Sequence, residues 1–326
     1  MGSISVETKR IDELANAAAV GSDNDLLLIR QADGTGTKNI TVEAFRKAMT
    51  GDLSGLDTEE KASLVAAINE VLGIDKENAK EIEDLKNLCN VLNYDNAGLH
   101  NALYRGKYLG DSFTAEQSAA IRSGKFTDLW VGDYWTIGGV NYRIADFDYF
   151  LRSGDTECTQ HHAVIVPDTA LYNAQMNTSN VTTGGYTGSA MYTANLAQAK
   201  NTIKAAFGAA HILGHREYLC NAVANGRPSG GAWFDSDIEL MSESMAYGGN
   251  FFEPTSDGST VPAKYSIACK QLNLFRHRPD LISNRTTYWL RNVVSASSFA
   301  GVDYLGNAAF SGASRSVGVR PAFPIY

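Results

Sequence analysis

The sequence predicts an α+β protein in three regions, and three observations carry that prediction. Short strand-like runs are scattered through the long C-terminal part. Two segments there have helical spacing and end at glycine. A stretch without proline ahead of them carries apolar residues at steps of three and four. With 326 residues, 44 % of them hydrophobic, the chain is long enough to bury a substantial core. Its net charge of −8 and lack of any Lys/Arg run argue against sequence-independent nucleic-acid binding, which needs a basic face.

Residues 1–52 read as a small unit. Ile11, Leu14 and Ala17 suggest a short helix, DLLLIRQ (25–31) a strand, DGTGT a turn, and KNITVEAFRKAM (38–49) a strand running into a helix. A unit this small is expected to dock on something or to oligomerise. Residues 53–93 read as a helical segment, with Thr58 as a capping residue. Leu64, Ile68, Val71, Ile82, Leu85, Cys89 and Leu92 follow a heptad register that runs through the polar positions Asp75 and Asn78. Polar core positions fix register at some loss of stability, and Gly73 weakens the centre. The expectation is a short parallel coiled coil that makes a homotrimer. The alternative is an amphipathic helical hairpin packed on its own chain.

Residues 94–326 form one long region. DLWVGDYWTI, NYRIADFDYF, HHAVIVPD and KYSIACKQLNLF read as strands. TANLAQAKNTIKAAFG is a helix closed by Gly208, and a second helix is expected near REYLCNAVANG, closed by Gly226. The N-terminal twenty residues lack an apolar core segment, so no secretory signal is expected, and no run reaches the length of a membrane span.

No catalytic pattern stands out. His211 and His215 sit in HILGHRE, where Gly214 separates them and the Glu follows the second His, unlike a zinc-protease motif. His161 and His162 are adjacent and would face opposite ways on a strand. Asp146, Asp148 and Asp155 have the wrong spacing for a calcium loop and read as solvated or turn carboxylates. The glycine-rich GTGT and GGYTGS read as turns, not phosphate loops. Cys89, Cys158, Cys220 and Cys269 are far apart and read as buried thiols of a reducing compartment. The reading is therefore of no metal, no cofactor and no enzyme.

The segment from Trp289 to Phe323 is different. Firm ends, Trp289-Leu290-Arg291 and Gly318-Val319-Arg320-Pro321, enclose a permissive interior. Its candidate ligand contacts are Asn292, Ser295, Ser297, Ser298, Phe299, Asp303, Tyr304, Asn307, Phe310, Ser311, Arg315 and Ser316. Ser and Asn give adaptable hydrogen bonds and Tyr and Phe give rigid contact area, the composition of a paratope. Partial alternation implies that some positions are buried, Val302 and Leu305 among them. Trp289 should bury with a partner for its indole N–H. Arg291 and Arg320 are read as half-buried or buried anchors needing carboxylate or carbonyl partners, with plain surface placement as the alternative. From Leu290 to Tyr326 there is no Lys, Glu, Gln, Met or Trp, although these five types number 13, 15, 6, 6 and 4 in the chain.

On these residues, YWLR…GVRPAF resembles the end of a C-type-lectin-like domain of phage tail and head fibre proteins. In that family the segment is often a variable repeat rewritten by a diversity-generating retroelement, whose adenine-directed changes exclude the five residue types absent here. The family's WLRS is WLRN in this chain, which leaves open whether Asn292 is already variable. SLVAAINEV (63–71) also resembles helices that precede fibre domains. The resemblance implies a C-type-lectin-like ligand-binding domain over 94–326 with a variable region at about 291–318. It further implies an N-terminal virion-attachment unit contacting other virion proteins, and a trimerising helix. The function implied is a phage adhesin that binds a host bacterial surface glycan or protein, is located in the virion and made in the host cytoplasm, and has no nucleic-acid partner and no membrane insertion. The alternatives are a decoration fibre without a specific ligand, or an enzyme of the formylglycine-generating type relying on Cys220 and Cys269.

Overall fold

The computed structural model describes residues 26–30, 37–50, 58–59, 64–92, 96–252 and 270–326. The helix expected around Ile11, residues 33–36 of the DGTGT turn and all of KYSIAC lie outside these residues. The chain divides into two units, Met1–Cys89 and Asn90–Tyr326.

In the first unit β1 (Leu26–Arg30) pairs antiparallel with β2 (Thr37–Thr41), and α1 (Val42–Thr50) follows directly. Thr41 Oγ1 accepts from the amide of Ala44, so the last strand residue caps the helix. A single helix, α2 (Leu64–Leu92), runs unbroken through Gly73, which excludes a hairpin within it. Residues 60–63, between the expected cap at Thr58 and Leu64, lie outside the described residues. The amide of Glu59 donates to the Glu70 carboxylate on the helix. Val65, Ile68, Val71, Leu72, Ile74, Ile82 and Leu85 are exposed along α2.

The second unit is α+β with several sheets. It contains α3 (Asn96–Asn101), α4 (Ala115–Arg122), β3 (Tyr134–Ile137), β4 (Val140–Phe147), β5 (Ala163–Pro167), β6 (Tyr172–Ala174), α5 (Ala197–Phe207), β7 (His215–Ala224), β8 (Arg227–Ser236) and β9 (Glu239–Leu240). These are followed by α6 (Glu243–Tyr247), α7 (Asn273–His277), β10 (Tyr288–Val293), β11 (Ser298–Val302), β12 (Ala308–Gly312), β13 (Val317–Val319) and β14 (Pro321–Ile325). One five-stranded sheet has the order β3-β4-β5-β14-β9 and another β12-β11-β10-β13-β6, while β7 and β8 form a separate hairpin.

Two apolar clusters account for this arrangement. The larger holds Trp135, Tyr142, Phe147, Phe207, Leu290 and Phe323, the smaller Tyr186, Leu219, Trp289, Phe299 and Val319. Successive residues of β10 point to opposite clusters, Leu290 into one and Trp289 into the other. All six residues of β10 are buried, as a strand covered on both faces requires. No helix among the described residues is long and apolar enough to cross a membrane.

Several expectations are corrected. REYLCNAVANG is not a helix. It is β7, and Asn225-Gly226 is the turn into β8, with φ of 53° and 72°. Both residues adopt the left-handed conformation that a two-residue hairpin turn demands. The end of the expected strand KYSIACKQLNLF is the short helix α7. Asp146 and Asp148 are buried, not solvated. Asp146 accepts from the backbone amide and side chain of Asn273 and from Asn101, tying α7 and α3 to β4. Burial pushes its carboxyl up to about 6 against those hydrogen bonds and Lys270. His162 is a satisfied core residue: its Nε2 accepts from the Phe150 amide and its Nδ1 faces the Gln160 carbonyl. Burial lowers its pKa to about 3.

Candidate functional site

The frame of the C-terminal segment begins with a change of sheet. β13 belongs to one five-stranded sheet and β14 to the other, and Arg320 is the residue between them. Its side chain is buried. Nε donates to the Pro167 carbonyl at the end of β5 (2.8 Å). The terminal nitrogens donate to the carbonyls of Ile282 (2.9 Å) and Leu281 (3.1 Å) and to the hydroxyl of Tyr288 (3.2 Å). The guanidinium lies over the rings of Tyr288 and Phe275. A flat, delocalised cation with five donors suits such a cage of carbonyls and ring faces, and a lysine could not fill it.

Arg291 is anchored differently. One guanidinium nitrogen pairs with Glu217 Oε2, and His215 Nε2 meets Glu217 Oε1 at 2.7 Å, all three side chains being buried. Burial alone would raise the Glu217 carboxyl, but the charge of Arg291 and the contact with His215 outweigh it and hold the pKa at about 2. The indole N–H of Trp289 donates to the Ala174 carbonyl on β6. Gly318 packs where a Cβ would come within 2.7 Å of Ala170 and 3.0 Å of the Thr287 carbonyl, so only glycine lets β13 lie this close to β10. Leu290 and Pro321 are buried, and Pro321 opens β14, where a missing N–H is tolerated. Surface placement of the two arginines is thereby excluded.

Between these anchors the chain makes the β11–β12 hairpin, with β12 at the sheet edge. Its turn is organised by Asp303. Oδ1 accepts from the amides of Leu305 (2.8 Å) and Asn307 (2.9 Å), and Oδ2 from the Asn307 side chain (3.1 Å). Tyr247 donates to the Gly306 carbonyl and Ser283 to that of Tyr304, so the turn is held from below. Asn180 and Gln175 fix the following loop through Ser314.

The structure divides the predicted contact residues. Tyr304, Asn307, Phe310, Arg315 and Ser316 are exposed, Tyr304 at 60 % and Phe310 at 56 %. Ser295, Ser297 and Asp303 are half-buried. Asn292, Ser298, Phe299 and Ser311 are buried and cannot meet a ligand on the surface of this fold, which corrects their assignment. Phe299 is 0 % exposed, packed in the cluster that holds Trp289, because β11 lies between β10 and β12 with apolar side chains on both faces. Asn292 belongs to the frame: its Oδ1 accepts from the amide of Glu243 at the start of α6. Val302 is buried as expected, but Leu305 sits in the turn and is exposed.

Residues outside the segment extend the face. Phe252 meets Phe310 ring edge to ring face, with centroids 5.4 Å apart, and Phe251 meets Tyr247 at 5.2 Å. The amide of Phe252 donates to the carboxylate of buried Glu243. The hairpin tip at Gly226 abuts Ala296. Sequence reading passed over the adjacent pair Phe251-Phe252 and took Gly226 for the end of a helix, although Asn225-Gly226 is a hairpin signal.

The histidines do not assemble a metal centre. His211 faces Ser118 and the Tyr326 carbonyl, whereas His215 is in the Glu217 network. Among the described residues no three His, Cys, Asp or Glu side chains converge to hold a metal ion. Cys158 and Cys220 are buried, and Cys269 lies outside the described residues, so the pairing of Cys220 with Cys269 is not described. Neither a family model, nor a curated protein, nor a solved structure matches this chain.

Proposed function

We propose that this chain is a non-enzymatic phage virion appendage protein whose C-type-lectin-like domain binds a host-surface ligand. One observation carries the reading: an exposed face of Tyr304, Asn307, Phe310, Arg315 and Ser316 stands on a base of buried polar anchors that it does not share. Such a division lets the contact residues change while the fold stays fixed, which is what a diversified binding surface needs. Rigid aromatics beside adaptable polar side chains are the physics of a paratope.

The exposed apolar residues of α2 support a role in trimerisation. Ile68, Val71, Ile82 and Leu85 keep the heptad register, and burying them between three helices would remove that apolar surface from water. Three weak sites on one particle appendage then gain strength by avidity. The N-terminal unit would contact other virion proteins.

The test is binding of the labelled full chain to a panel of bacterial strains, beside Tyr304→Ala/Phe310→Ala/Arg315→Ala. Strain-selective binding lost in the variant is the expected result. Equal binding by both places the site elsewhere, and no binding to any strain favours a decoration fibre.

A further inference from the structure

Next to the exposed face lies a cleft of about 420 Å³, within the range of ~300–1,000 Å³ typical of small-ligand sites. Its walls come from three places: the β7–β8 hairpin tip with Arg227, the Phe251-Phe252 pair, and the Val293–Ser295 end of β10. Each wall is held in place. The tip is a tight Asn225-Gly226 turn set against Ala296. Phe252 is fixed through its amide to Glu243 and by Phe310. The Ser295 carbonyl accepts from Thr182. The cleft is therefore preformed and does not need a ligand to order it.

Its chemistry is specific. Arg227 is exposed and makes no ion pair among the described residues, in a chain of net charge −8. In the second unit Arg105, Arg143, Arg216, Arg278 and Arg291 are each paired with a carboxylate, whereas Arg276, Arg315 and Arg320, like Arg227, have no carboxylate partner among the described residues. A free guanidinium recognises carboxylate or phosphate through parallel N–H bonds. The Phe251 ring is 64 % exposed and offers a flat apolar surface beside that charge. Asn225 and Ser295 add neutral hydrogen-bonding groups at the rim.

We infer that this cleft binds an acidic monosaccharide unit, its acid group on Arg227 and the C–H face of its ring on Phe251. This deepens the adhesin reading and rests on it for its biological sense. One wall, Val293–Ser295, belongs to the changeable segment, whereas Arg227 and Phe251 do not. The acid requirement would thus stay constant while neighbouring contacts vary.

The test is saturation-transfer NMR on the full chain with D-glucuronate, D-glucose 6-phosphate and D-glucose, repeated for Arg227→Gln and Phe251→Ala after circular dichroism shows both variants folded. The expected result is transfer to at least one acidic sugar and none to glucose. Arg227→Gln should lower its affinity about tenfold or more, as loss of a charge-assisted pair implies. Phe251→Ala should weaken it too. The stronger of the two acidic sugars identifies the acid group. Equal binding of glucose, retention in Arg227→Gln, or absence of transfer to either acidic sugar overturns the inference. Cell binding that depends on Tyr304 and Phe310, with no acidic sugar bound, sinks the cleft alone. Acidic-sugar binding with no strain bound supports the cleft and counts against the adhesin.

Discussion

Two parts of one continuous segment obey different rules. At its ends, in β10 and at the junction of β13 and β14, every side chain is enclosed, and Trp289, Arg291 and Arg320 have specific partners in β6, β7 and β5. In the middle, from Asp303 to Ser316, the backbone is held by turn hydrogen bonds while Tyr304, Phe310 and Arg315 point to solvent. Stability lives in long-range contacts at the ends, and the proposed recognition in side chains that the fold does not need. The comparison teaches that similar residues carry different meanings here: Phe299 and Phe310 belong to the same hairpin, one a core residue and one an exposed residue.

The largest effect should come from breaking the frame. Arg291→Met leaves Glu217 buried without its cation and is expected to lower the unfolding free energy by about 3–5 kcal/mol. Urea denaturation reads this, and adding Glu217→Leu should recover much of the loss, since an apolar pair can replace a buried ion pair. Phe299→Ala should lower stability by ~3–5 kcal/mol through the cavity it leaves, whereas Phe310→Ala should stay within about 0.5 kcal/mol. Similar losses for the two would break the comparison between ends and middle.

Acidification sharpens it next. His162, lowered to about 3 in the fold, favours the folded state at neutral pH and loses that contribution as pH falls from 6.5. Glu217, lowered to about 2, loses its contribution as pH falls from 4.5. Asp146, raised to about 6, works in the opposite sense and gains between pH 6 and 3.8. Unfolding free energy should therefore fall between pH 7 and 3.5, and fall more steeply in Asp146→Asn, which removes the opposing group. A shallower fall in that variant would show that Asp146 is not the opposing group.

The Asp303 turn is the intermediate case. Asp303→Ala removes an acceptor for three donors and should cost about 1–3 kcal/mol, with faster amide exchange at Leu305 and Asn307. At the small end, Tyr304→Ala, Phe310→Ala and Arg315→Ala together should shift the thermal midpoint by no more than a degree or two while abolishing cell binding.

The frame was legible in the sequence because its residues have few other uses. A tryptophan and two arginines among small residues demand partners, and only the identities of Glu217 and of the Pro167, Leu281 and Ile282 carbonyls waited for the fold. The exposed face was legible by composition but not by position. β11 is covered on both faces, so no alternation separates Phe299 from the exposed residues, and Asn292 looks like any polar loop residue until Glu243 is placed beside it. The missed β7–β8 hairpin has a similar cause: register shifts around Cys220 and Ala222 interrupt the two-residue period, leaving an apolar spacing that reads as helical. Strands with regular pairing, such as β3 and most of β4, were found. Residues contributed from a distance, Phe251 and Arg227 above all, carry no local mark of belonging to a site.

Tyr288 and Gly318 lie side by side in parallel strands, so after β12 the chain comes back to the place where β10 began. The intervening segment is a closed loop with a clamped mouth. Closing a loop of twice the length costs only about 0.6 kcal/mol more, so beyond the loss of the Asp303 hydrogen bonds a longer 303–307 tip carries little penalty. A foreign peptide spliced there would inherit a ready-made scaffold and leave the clamp untouched.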